Sequence, residues 1–151
     1  MPPESRTTPE LQELIKQGMV PFHGEFLDGD DMIALVTGML GEVAHPEYVT
    51  VMVDQTGRGA DYEGVSGFRD AMGDFISPYE TYGLRIDEMI PTDNAMVLLV
   101  TQRGVTKHGS VEVESPGASV WWLEDGLIRQ AVFYIDQRAA LEAAGVDRDQ
   151  S

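Results

Sequence analysis

The sequence predicts an α+β domain in which N-terminal helices pack on a strongly curved, mostly antiparallel (mixed) sheet and form a cone with an internal pocket. Two patterns support this: apolar residues recur at helical spacing in the first half of the chain and at strand spacing in the second. A length of 151 residues is typical of one domain. We therefore expect a single domain over residues 1–151, with flexible tails at 1–7 and 148–151.

Two helices are predicted near the start of the chain. Thr8 offers a capping hydroxyl before Pro9, which is favoured at the first helical position, and Gly18 ends this helix. The second helix begins in the acidic run 28–31, whose carboxylates can accept hydrogen bonds from free backbone amides. It is predicted to end at Gly41.

The rest of the chain predicts a strand, a loop, a helix and then an antiparallel meander. A β-branched run indicates a strand over 48–53, glycines indicate a loop over 55–64, and helical spacing returns at 65–76. The four strands of the meander and a final helix are predicted at 84–90, 95–105, 110–123, 127–135 and 137–144. Short turns between consecutive strands favour antiparallel pairing.

Composition limits the partners and cofactors that are expected. The chain has 26 Asp and Glu against 10 Lys and Arg, and a formal charge of −16 repels nucleic acid and anionic membranes. It has no cysteine, which excludes disulfides and thiolate chemistry. His23, His45 and His108 lack metal-binding spacing, so no metal is predicted. The polar start indicates no secretory signal, and the expected location is cytoplasmic.

Three segments occur in a recognisable order. They are YEGVSGFR at 62–69, VWWLEDGLI at 120–128, and YID at 134–136 followed by AL at 140–141. In this order they resemble the nuclear transport factor 2-like superfamily, in particular its SnoaL-like and ketosteroid-isomerase-like members. The similarity extends over roughly residues 28–145. It implies the cone-shaped fold and a pocket for a hydrophobic, cyclic or polyketide-like small molecule, without a cofactor.

The resemblance implies two candidate catalytic residues, and the residue types suggest a third. In ketosteroid isomerases the carboxylate at the place of Asp54 moves a proton between carbons, and Ser119 stands where those enzymes have an acid that donates to the oxyanion. A serine hydroxyl is a weaker acid. His23 is a further acid or base at the pocket mouth. The implied activity is that of a cofactor-independent isomerase, or of a polyketide-cyclase-like lyase, which removes a proton next to a carbonyl.

The state of Asp54 distinguishes this hypothesis from its alternative. An apolar wall would raise the pKa of Asp54 and suit a proton shuttle, whereas pairing with Arg58 would lower the pKa and hold the loop. A turn-stabilising Asp at the end of a strand is also common. The tyrosine expected on the first helix has no match, and Phe133 stands where SnoaL-like cyclases have a carboxylate. The alternative is therefore a non-catalytic ligand-binding or dimerisation module of the same fold.

Strand parity predicts the pocket wall, because alternate residues of a strand face the same side of a sheet. Parity assigns Trp121, Ala131 and Phe133 to this wall. The other predicted substrate-binding residues are Phe22, near the place of the missing tyrosine, and Arg58, in the glycine loop. Simple core packing is the alternative role for Trp121, Ala131 and Phe133.

The opposite parity predicts an outer apolar stripe. Its residues are Val120, Trp122, Val132 and Tyr134. An exposed stripe of this size is unusual on a monomer, so the sequence predicts a homodimer through this face.

Overall fold

A computed structural model describes residues 6–54 and 56–146. This part of the chain contains four α-helices and one mixed, seven-stranded sheet, which confirms the predicted α+β class. Residues 1–5 and 148–151 of the predicted tails lie outside the described residues. None of the described helices is long and apolar enough to cross a membrane.

The elements follow one another in the order helix, strand, helix, two strands, helix, four strands, helix, with a short 3₁₀ helix at Val20–Phe22. Their bounds are α1 (Thr8–Gly18), β1 (Leu27–Asp28), α2 (Gly29–Val43), β2 (Ala44–Val53), β3 (Gly59–Glu63), α3 (Gly64–Ile76), β4 (Tyr79–Pro91), β5 (Ala95–Thr106), β6 (Glu112–Glu124), β7 (Leu127–Tyr134) and α4 (Gln137–Ala143).

The sheet has the strand order β1-β4-β5-β6-β7-β2-β3. Strands β4 to β7 form the predicted antiparallel meander. Strand β2 pairs in parallel with β7 and antiparallel with β3, which makes the sheet mixed. The register of β4 against β5 shifts between Ile86 and Glu88, and such an irregularity bends a strand.

The start of α1 corrects the predicted cap and tail. Thr7, not Thr8, is the N-cap: its hydroxyl accepts from the Glu10 amide, and the Glu10 carboxylate accepts from the Thr7 amide. This reciprocal pair is a capping box, and Glu10 three residues after Thr7 is the signal that selects between the two threonines. Thr7 therefore belongs to the ordered helix start and not to a flexible tail.

Four other differences concern segments with weak patterns. Helix α2 continues past Gly41 to Val43, whose side chain is fully buried. The predicted loop contains β3, an edge strand that is mostly exposed and so lacks an apolar alternation. Strand β2 begins at Ala44, ahead of the predicted 48–53, and β1 pairs with β4 over only two residues.

The two faces of the sheet pack against different helices. The concave face carries the main core, to which α1, α2 and α3 contribute. On the convex face a second, smaller core forms around Ala140 of α4. Its residues include Ala95, Val97, Leu99, Ala118 and Val120, with Trp122 and Tyr134 packed against them.

This second core corrects the predicted exposed stripe. Val120 is fully buried, Val132 is 7% exposed, and Trp122 and Tyr134 are half-buried within a single chain. Asp136 caps α4 by accepting from the Arg138 amide, and the helix so started folds back onto the sheet. The chain itself therefore covers part of the apolar patch that suggested a dimer.

The packing of α4 gives a stability prediction. Ala140→Glu places a carboxylate against Val97 and Val120, and we expect it to lower the free energy of unfolding by about 2 kcal/mol or more, because a larger, charged side chain has no partner there. Ala143→Glu, on the exposed side of the same helix, is the control and is expected to change it by less than ~0.5 kcal/mol. Chemical denaturation measures both; equal effects would show that α4 is not docked.

Candidate functional site

A cavity of about 240 Å³ lies between the concave face of the sheet and the helices. Helix α2 contributes Met32 and Val36, and α3 contributes Phe68 and Met72. The strands contribute alternate residues, as period-two geometry requires. The main apolar ones are Leu84 and Ile86 of β4, Leu98 and Val100 of β5, Trp121 of β6 and Phe133 of β7. The cavity is therefore apolar over most of its wall.

Ser119 is a buried polar group in this wall. It lies on β6, is 3% exposed, and pairs across the strands with Leu98 and Phe133. The Trp121 indole nitrogen donates a hydrogen bond to Ser119 Oγ at 2.8 Å. An indole N–H donates only, so it occupies a lone pair of Ser119 and leaves the hydroxyl hydrogen available to another acceptor.

A second polar pair, Tyr82 and Gln102, was not predicted from the sequence. The Tyr82 hydroxyl donates to Gln102 Oε1 at 2.6 Å, and both residues line the cavity. Burial raises the pKa of Tyr82, so this hydroxyl stays protonated. The ring of Phe75 packs edge-on against Tyr82, with centroids 5.8 Å apart. Gln102 follows Leu98 and Val100 at alternate positions of β5, so all three side chains lie on the same face of the sheet. This alternation was present in the sequence.

Asp54 lies at the end of β2, at the edge of the cavity and exposed to solvent. Its Oδ1 accepts from the Thr56 hydroxyl at 2.6 Å, the Thr56 amide at 2.8 Å and the Arg58 amide at 3.1 Å. The Thr56 hydroxyl and then the Arg58 amide lower the pKa of Asp54 below its ordinary value. The predicted raised pKa is therefore wrong.

The cause is the turn geometry, not an ion pair. Arg58 acts on Asp54 through its backbone amide rather than through its guanidinium, which differs from the predicted pairing. The Asp54 amide also donates to the Arg58 carbonyl, and Gly57 donates to the Asp54 carbonyl. Hydrogen bonds that stabilise the charged form keep a carboxylate ionised, so Asp54 holds the turn that follows β2.

The structure brings most of the predicted site residues together. Phe22, Trp121 and Phe133 line the cavity with Ser119 and Asp54. The rings of Trp121 and Phe133 meet edge-on at 5.8 Å between centroids. The aromatic part of the predicted wall therefore has the geometry expected from strand parity.

Three predicted residues lie outside the lining. Ala131 is on the same face of the sheet as Phe133 but is fully buried in the main core. His23 and Arg58 are exposed, and neither contributes to the cavity wall. The predicted parity of Ala131 is correct, but its side chain is short, and larger neighbouring side chains separate it from the cavity.

One cluster among the described residues has the composition of a cation site. Ligand atoms of His45, Glu124 and Asp125 lie within 4.8 Å of one another. The Arg129 guanidinium lies 3.8 Å from Glu124, and His45 Nδ1 accepts from the Glu47 amide. A positive charge and a hydrogen bond thus already engage two of the three groups, and we assign no metal there.

Comparison with known proteins gives a family match and several fold matches. The model of a family described as a SnoaL-like domain matches residues 27–131. No curated protein matches the chain.

Three crystal structures illustrate the similarity of fold. A nuclear transport factor 2-like protein of unknown function from Burkholderia pseudomallei has a TM-score of 0.60 and 15% identity, over 89% of this chain and 96% of that one. A phenazine biosynthesis-related protein from Pseudomonas aeruginosa has a TM-score of 0.57 and 15% identity, over 95% of this chain and 93% of that one. A protein with a ketosteroid isomerase-like fold from Catenulispora acidiphila, in complex with trimethylamine, has a TM-score of 0.54 and 15% identity, over 76% of this chain and 86% of that one.

The hydrogen bonds of Asp54 predict a titration. Thr56→Val removes the strongest donor to Oδ1, so the pKa of Asp54 should rise toward its ordinary value of 3.8, as followed by NMR of its side-chain carboxyl carbon. Because the folded pKa is depressed, these hydrogen bonds stabilise the turn above pH ~4, and this stabilisation is lost as the pH falls through the folded pKa. The control is Thr81→Val, at an exposed position of β4. An unchanged Asp54 pKa in Thr56→Val would contradict the assignment.

Proposed function

The chain belongs to the SnoaL-like domain family, and from that premise we propose that it binds an uncharged, hydrophobic, cyclic small molecule in the cavity. The observation that carries this proposal is an apolar cavity of about 240 Å³ with the buried Ser119 in its wall. Apolar pockets with a few placed polar groups are typical of small-molecule sites.

The cavity volume limits the size of the ligand. An apolar cavity of about 150 Å³ stays dry and accepts benzene. At about 240 Å³, this cavity has room for roughly two fused rings rather than the four of a steroid.

The charges favour a neutral ligand. Asp54, at the mouth, is the one formally charged side chain among the described residues that line the cavity. An ion inside would lose its hydration without a partner, and the net charge of −16 repels anions from the mouth. The proposal thus excludes anionic and strongly cationic ligands from the interior.

Filling the cavity tests the proposal. We expect naphthalene, a neutral two-ring probe, to bind in equilibrium dialysis, and Leu98→Trp to reduce its affinity by about 10-fold or more because the indole takes the probe's space. Val113→Trp, on the same sheet but outside the lining, is the control and should bind like the original chain. Equal binding by all three proteins, or no binding by any, would reject the cavity as the site.

Catalysis at this site is the second candidate, favoured by the position of Asp54 at the cavity edge. All three hydrogen bonds that its side chain accepts fall on Oδ1, which leaves Oδ2 for a substrate. Oδ2 would take a proton from the carbon next to a carbonyl, the electron pair would move to the carbonyl oxygen, and Ser119 would donate to that oxygen. The same carboxyl would return the proton to carbon. This step requires no cofactor. The lowered pKa of Asp54 makes it a weak base. The exposed His23, the other predicted acid or base, lies outside the cavity lining.

A proton-exchange measurement tests this second candidate. In heavy water the protein should accelerate exchange of the protons next to the carbonyl of 2-tetralone, and Asp54→Asn should reduce the enzyme-catalysed rate by ~10²-fold or more with little change in the melting temperature. The asparagine Oδ1 can still accept from Thr56 and Arg58, so the turn is kept. If the original chain does not accelerate exchange above the rate in buffer, the catalytic candidate is rejected and ligand binding is the remaining proposal.

Single-domain organisation over residues 1–151, the homodimer and the cytoplasmic location stay predictions. Val120 and Val132 of the stripe are buried within one chain, and Trp122 and Tyr134 are half-buried, so this face offers a dimer less apolar surface than the sequence predicted. Sedimentation velocity at micromolar concentration measures the oligomeric state directly.

A further inference from the structure

We propose that Gln102 is a specificity-determining residue, which together with Ser119 selects ligands that have two hydrogen-bond acceptors on opposite sides of a small ring system. The ligand class is a cyclic diketone or quinone of about two rings. This inference rests on the proposed function, because it concerns the same cavity.

The first donor is the Ser119 hydroxyl. Its oxygen already accepts from the Trp121 indole at 2.8 Å, and the indole nitrogen has no acceptor capacity. Ser119 is 3% exposed, so bulk water cannot replace a missing partner at low cost. The hydroxyl therefore offers a hydrogen to an acceptor in the cavity.

The second donor is the Gln102 side-chain amide. Its Oε1 accepts from the Tyr82 hydroxyl at 2.6 Å, which leaves the two hydrogens of Nε2. Within the described part of the chain, Nε2 makes no hydrogen bond. A Cβ on Gly117 would lie 3.2 Å from Gln102 Nε2. Because glycine has no side chain, the Gln102 amide can lie close to β6 at this position.

The spacing of the donors defines the ligand class. Gly117 and Ser119 are two residues apart on β6 and share the concave face, which separates the two donors by about 7 Å along the strand. The carbonyl oxygens on opposite sides of a six-membered ring are about 5 Å apart, within reach of two such donors through ordinary hydrogen bonds. A hydrocarbon of the same size would leave the buried Ser119 hydroxyl without an acceptor, which is costly, and would offer no acceptor to the half-buried Gln102 amide.

The experiment compares 1,4-naphthoquinone with naphthalene in equilibrium dialysis. We expect the original chain to prefer the quinone by about 10-fold or more. Gln102→Glu keeps an acceptor for Tyr82 but loses the Nε2 donor, so its affinity for the quinone should fall by about 10-fold while its affinity for naphthalene changes little. Gln130→Leu, on the convex face, is the control. The chain has no cysteine, so the quinone cannot form a thioether with it.

A second variant guards against a folding effect. Gln102→Leu removes the donor without adding charge, and it should also lose the preference for the quinone while it still binds naphthalene. Equal affinity of the original chain for both probes, or an unchanged preference in both Gln102 variants, would overturn this inference and leave the hydrophobic site intact. Absence of binding by either probe would overturn the proposed function together with the inference.

Discussion

The register between β5 and β6 is the constraint on which the site depends. Leu98 pairs with Ser119 and Met96 with Trp121, which places one series of side chains on the concave face. A shift of one residue would exchange every concave residue for a convex one. Trp121 and Trp122 show the consequence, because Trp121 lines the cavity while its neighbour packs with the core beneath α4.

Both faces of the sheet are apolar, and the chain must cover each of them. The three N-terminal helices cover the concave face only in part, since the sheet bends away from them and leaves the cavity. The short helix α4 covers the convex face with small residues, of which Ala140 is fully buried. The cavity is thus a gap between the helices and the sheet, and its apolar wall follows from the residues that a sheet core requires.

The sequence predicts the elements and faces that rest on strong periodicity, and it fails where a strand is exposed or where tertiary contacts decide the packing. The meander, α3 and the positions of Trp121 and Phe133 follow from period and parity. The edge strand β3 does not, because exposed residues carry no alternation. Whether α4 folds back over the convex face depends on tertiary contacts that no local pattern encodes.

Asp54 illustrates the limit for a functional site. Its place at the end of a strand was predictable, but its pKa depends on which donors the following turn directs at Oδ1. An Asp side chain in a turn commonly accepts from the backbone amide two residues on, and such hydrogen bonds favour the ionised carboxylate. Family resemblance alone indicated a base in an apolar wall.

The polar groups of the cavity suit recognition of a carbonyl more than removal of a proton. Ser119 and Gln102 are each fixed as donors by a buried neighbour, Trp121 and Tyr82 respectively. Donors that are oriented before the ligand arrives lower the cost of binding and favour an oxygen acceptor. A base is strong only when its proton is held tightly, and the hydrogen bonds of Asp54 favour its unprotonated form. These hydrogen bonds therefore support the proposed ligand binding better than the proposed proton transfer, which would depend on the two donors to stabilise the enolate.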